Sequence, residues 1–78
     1  MILKELFKQE PHLCVGHHFI TVHGSENFIT KYYIDKWKQD WLNKHVISWS
    51  YKQDTQYWNK GAEGHYHIKL GYKEKWNT

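Results

Sequence analysis

Apolar residues recur along the chain at two periods, and the change from one to the other marks the elements. Ile2, Leu3, Leu6 and Phe7 fall at helical spacing and Pro11 forbids much continuation, which predicts a short amphipathic helix over residues 2–9. From Leu13 to Val22 the run is β-branched and aromatic and stops at His23-Gly24, which predicts a first strand. Ser25 then offers an N-cap, with Glu26 placed where a helix dipole favours an acid. Ile29, Tyr33, Trp37 and Trp41 follow at successive i+4 steps, widened by Ile34 and Leu42. That spacing predicts a long helix to about Lys44 whose aromatic stripe faces the core.

Beyond it the period falls to two. Val46 to Gln53 alternates apolar and polar side chains, and His65 to Tyr72 alternates again. The segment between them carries Asn59, Gly61 and Gly64 and reads as a loop, with Tyr57 and Trp58 able to extend the strand before it. The last two strands therefore form a hairpin. The expected fold is α+β, a three-stranded antiparallel sheet with one long and one short helix on one face, in the order α-β-α-β-β. Neither linker nor repeat is visible, so residues 1–78 are read as a single domain.

Strand parity sorts these side chains between faces. Tyr66, Ile68 and Leu70 form the apolar set of the last strand, which sends His65, His67 and Lys69 to the opposite side. On the first strand Ile20 and Val22 go inward with His18, leaving His17, Phe19, Thr21 and His23 opposite. On the middle strand Ile47, Trp49 and Tyr51 go inward and Ser48, Ser50 and Lys52 outward. If the helices cover one side of the sheet, the other displays four histidines and lysines around Phe19.

Composition narrows what such a face can do. All eleven basic residues are Lys against eight acids, a net charge of +3. Lysine neutralises phosphate as a point charge, whereas bidentate reading of guanine edges is mostly arginine chemistry, so a nucleic-acid role would favour backbone over base sequence. Solubilising an aromatic-rich surface is the equally open alternative for these lysines. Five Trp, six Tyr and three Phe give a thin core its bulk in a chain of 78 residues. The aromatics in excess of the core, with Tyr57, Trp58, Tyr72 and Trp76 as candidates, are expected to anchor an interface. The single cysteine, Cys14, has no partner for an internal disulfide, and neither a signal-peptide core nor an apolar run of membrane length is present, so a cytoplasmic location is expected.

Candidate metal chemistry centres on His65 and His67, with His17 and His23 as further donors to a divalent ion. The segment His12-x-Cys14-x-x-His17-His18 matches no structural zinc pattern, and Cys14 is expected to be a buried strand cysteine rather than a ligand or nucleophile. The candidate nucleic-acid set is Phe19, Lys52, Lys69 and Lys73.

The order of these pieces resembles the N-terminal half of the HUH endonucleases. The resemblance rests on Phe19-Ile20-Thr21, a helix, Ile47-Ser-Trp-Ser-Tyr, a Gly-containing loop and Gly64-His65-Tyr66-His67-Ile68, and it spans about residues 17 to 72. It implies that His65 and His67 hold a divalent metal with Tyr66 between them. Ser50 falls where many such proteins carry an acidic or amide third ligand. The family's nucleophilic tyrosine lies on a helix after the histidine strand, a place that Tyr32, Tyr33 and Tyr72 do not occupy. The resemblance therefore implies a reduced relative that binds nucleic acid rather than a complete nicking enzyme, and an unrelated small protein of the same topology stays open beside it.

Three functions stay open from the sequence. The first is a small mobile-element or phage-type module that binds single-stranded nucleic acid or a DNA-processing complex through the open face. The second is a non-enzymatic, phage-encoded inhibitor that grips a host or defence protein through exposed aromatics. The third is a metal-dependent nuclease completed by homodimerisation.

Overall fold

The computed structural model describes residues 1–53 and 64–71. Strands β1 (His17–Val22), β2 (Ser25–Thr30), β3 (His45–Gln53) and β4 (Gly64–Gly71) form one sheet in the spatial order β2-β1-β4-β3. Two short helices, α1 (Leu3–Gln9) and α2 (Lys31–Trp37), and two 3-10 turns, Pro11–Cys14 and Gln39–Asn43, complete the described chain. The fold is α+β with a sheet and two helices. The sheet is four-stranded and mixed, not the three-stranded antiparallel sheet expected, because β1 lies parallel to β4 while β1–β2 and β3–β4 are antiparallel.

The extra strand comes from the first half of the expected long helix. His23 and Gly24 both take positive φ, 51° and 84°, as a two-residue hairpin turn of the primed kind demands. They fold the chain back so that Val22 pairs with Ser25 and the register runs unbroken to His17 and Thr30. Ser25 is thus a strand residue, and Thr30 is the N-cap, its hydroxyl accepting from the Tyr33 N–H at 3.4 Å. Starting the helix at Lys31 breaks the i+4 series. Ile34 and Trp41 are buried, but Tyr33 is 49% and Trp37 69% exposed, so these two are not core.

Two smaller expectations also change. Cys14 is exposed and lies in a 3-10 turn headed by Pro11, so the first strand begins at His17 rather than Leu13. In β3 the register slips between Val46 and Ser48. This bulge lets Val46 and Trp49, three residues apart, both pack on the core, and it turns Ile47 outward at 47% exposure. Tyr51, expected inward, is also 47% exposed, although its ring still meets Tyr66 at 4.9 Å. Met1 and Ile2 run beside the start of β3, with the Val46 N–H bonded to the Met1 carbonyl and the Leu3 N–H to the Lys44 carbonyl.

One face of the sheet carries the core. Ile20, Val22, Tyr66, Ile68 and Leu70 pack against Leu3, Leu6, Phe7, Leu13, Ile34 and Trp41 from the helical segments. His18, 3% exposed, joins them as a structural residue. Its Nδ1 accepts the Tyr66 N–H at 3.2 Å, so Nε2 carries the proton and donates to the Val15 carbonyl at 2.8 Å. Burial pushes the His18 pKa down, since a charged imidazolium would be poorly solvated there. Tyr66 donates its hydroxyl proton to Glu10 Oε1 at 2.7 Å, and burial together with that bond pushes its pKa up to about 12. Among the described residues no helix is long and apolar enough to cross a membrane.

Candidate functional site

Three rows of side chains cross the face opposite the helices. The central row runs Phe28, Phe19, His67, Ser50, one residue from each strand in spatial order. Its rings stand face to face: Phe28 stacks on Phe19 with centroids 4.7 Å apart and planes 25° apart, and Phe19 stacks on His67 at 4.7 Å and 12°. Ring centroids at that separation lie inside the range where aromatic pairs attract beyond their buried area. Both faces of Phe19 are therefore occupied. What the ladder turns to solvent is ring edges.

On one side of the ladder lie Thr30 and His17, paired across β2 and β1, and His65 and Lys52, paired across β4 and β3. His65 is 4% exposed and packs edge-on against Phe19 and Phe28 at 5.7 and 5.6 Å. Its Nδ1–H donates to the His17 carbonyl at 2.9 Å, which fixes the ring. The His17 ring itself leans on Phe28 at 5.1 Å. On the other side the row is Glu26, Thr21, Lys69 and Ser48. Between this row and the ladder, where Thr21, Ser48 and Ser50 are small, the surface sinks into a shallow depression of about 290 Å³ walled by Phe19, His67 and Lys69.

The structure thus gathers His17, Phe19, Lys52, His65, His67 and Lys69 on one face. His23 is not among them: it occupies the hairpin turn, with Nε2 3.5 Å from Lys44 Nζ. Lys73 lies outside the described residues, as do Tyr57, Trp58, Tyr72 and Trp76. Phe28 is absent from the set expected from sequence, because its segment carries the i+4 spacing that predicts a helix. The strand-favouring run Phe28, Ile29 and Thr30 is the signal that marks it.

Of the candidate metal ligands, His65 bonds the His17 carbonyl through Nδ1, His67 lies flat on Phe19, and His23 sits in the hairpin turn. Among the described residues no group of three or more His, Cys, Asp or Glu side chains is arranged to hold an ion. The chemistry that the face does offer is aromatic contact, hydroxyl hydrogen bonding in the depression, and two ammonium groups. Comparison of the chain with protein-family models, with curated proteins and with solved structures finds no match.

Proposed function

We propose that this protein is a small binding module for single-stranded nucleic acid, and that the uncovered sheet face is its binding surface. The observation that carries the reading is the Phe28–Phe19–His67 ladder, built across three strands on the side away from the core. A single strand offers unstacked bases whose π faces pack edge-to-face across such rings. The hydroxyls of Thr21, Ser48 and Ser50 meet one base or sugar in the depression. Lys52 and Lys69 lie on opposite sides of the ladder, four residues apart along β4 in register, or about 13 Å at strand rise. That span suits phosphates on either side of the docked bases. Glu26 at the β2 end works against a long polyanion, which directs the strand toward β3 and β4.

Anisotropy of a labelled oligothymidine strand, titrated at several salt concentrations, tests this reading. With two lysines engaged, log K falls against log salt with a slope of about −1.4. Phe19→Ala weakens binding by at least about tenfold, the loss of one base contact. Failure of the wild type to bind at low salt overturns the proposal.

One observation favours a second reading, a protein partner held by α2. Tyr32 and Trp37 are 60% and 69% exposed on a helix of seven residues, and exposed Trp and Tyr are the usual interface anchors. A partner captured from lysate that survives nuclease treatment and is lost in Trp37→Ala supports it.

A further inference from the structure

The two edges of the sheet are built differently. Along β3 the register is broken by the bulge at Ile47, Lys52 stands near its far end, and Met1 and Ile2 lie against its start. These are the devices by which proteins keep an edge from pairing with another chain. Among the described residues none of them is present on β2. Its sequence Ser-Glu-Asn-Phe-Ile-Thr has neither Lys nor Pro, and its register with β1 is unbroken over all six residues.

The hairpin decides which groups β2 presents. In a two-residue loop the flanking pair, here Val22 and Ser25, is hydrogen-bonded, and bonded positions then alternate. Ser25, Asn27 and Ile29 bond inward to β1. The N–H and C=O of Glu26 and Phe28 and the N–H of Thr30 point away from it, and among the described residues β2 has β1 as its one strand neighbour.

We propose that this edge pairs antiparallel with β2 of a second copy of the chain, on a two-fold axis centred at Phe28. In that register Phe28 exchanges both backbone bonds with Phe28 of the other copy. Glu26 faces Thr30, so the strand's one charged residue never meets itself. Directly opposed, hydrogen-bonded residues sit about 5.5 Å apart at Cα, which brings the half-exposed Phe28 rings into contact. The ladder becomes continuous, His67–Phe19–Phe28–Phe28–Phe19–His67, on one eight-stranded sheet. The inference stands on backbone geometry and is independent of what the open face binds.

Sedimentation velocity over a concentration series, without nucleic acid, tests it. The full chain is expected to pass from monomer to dimer. Glu26→Pro deletes an outward N–H without touching the β1 pairs, and Phe28→Lys sets two ammonium groups face to face; each weakens association by about tenfold or more. Circular dichroism checks folding, and if the proline variant unfolds, Phe28→Lys decides. Slower amide exchange at Glu26 and Phe28 with rising concentration locates the interface. A chain that stays monomeric, or a dimer that the folded variants leave intact, overturns the proposal.

Discussion

On the helix-covered face of the sheet a histidine, His18, meets Tyr66 edge-on at 5.4 Å; on the other face a histidine, His67, lies on Phe19 at 4.7 Å. The side chains are of the same kinds, but their polar atoms are treated differently. His18 has both nitrogens bonded to backbone and Tyr66 has its hydroxyl on Glu10, so the inner pair is spent on holding β1, β4 and the N-terminal segment together. The outer set leans on its ring faces and leaves hydroxyls and the Lys69 ammonium group around a depression. Adjacent residues of one strand thus divide into those that stabilise and those that present chemistry.

Substitutions at neighbouring positions of β4 give the sharpest break of that comparison. Ile68→Ala on the inner face is expected to cost about 2–5 kcal/mol in urea unfolding, by lost transfer energy and a cavity. Lys69→Ala beside it stays within about 0.5 kcal/mol. Equal costs at the two positions would mean that the faces are not distinct.

The next effect is Tyr66→Phe, which leaves Glu10 without its donor and costs about 1–2 kcal/mol. It also removes an alkaline transition. Because the folded Tyr66 titrates near 12 against 10 for a free tyrosine, its contribution is complete below pH 10. The contribution is lost between 10 and 12, as the unfolded chain gives up its proton first. The Phe variant lacks that slope.

His18 acts at the other end of the scale. Its folded pKa lies below 6.5, so the unfolded chain binds the proton first, and stability falls as pH drops below 6.5 until the folded imidazole is protonated too. Unfolding midpoints between pH 7 and 5 in wild type and His18→Gln check this; the variant is less stable at neutral pH but flatter toward acid.

The alternation of β4 and β1 made much of this division legible. Tyr66, Ile68 and Leu70 against His65, His67 and Lys69, and His18 and Ile20 against His17 and Phe19, sort by parity without further information. The β2 strand was hidden for two reasons. His-Gly is not one of the Asn-Gly or Asp-Gly pairs that announce a primed hairpin turn, and Ile29 happens to fall in phase with Tyr33 and Trp37. Parallel pairing of β1 with β4 joins segments about fifty residues apart, which no local pattern encodes. The bulge at Ile47 likewise depends on packing, since Val46 reaches the core only because the register slips after it.

Chemical-shift mapping of the labelled protein during titration with an unlabelled oligothymidine strand shows whether the uncovered sheet face is where a single strand docks. Amides of Thr21, Phe28, Ser48, Ser50 and Lys69 are expected to move together and saturably, while those of Leu6, Ile34 and Trp41 in and under the helices stay in place. Shifts confined to α2, or none at all at low salt, would contradict docking on that face.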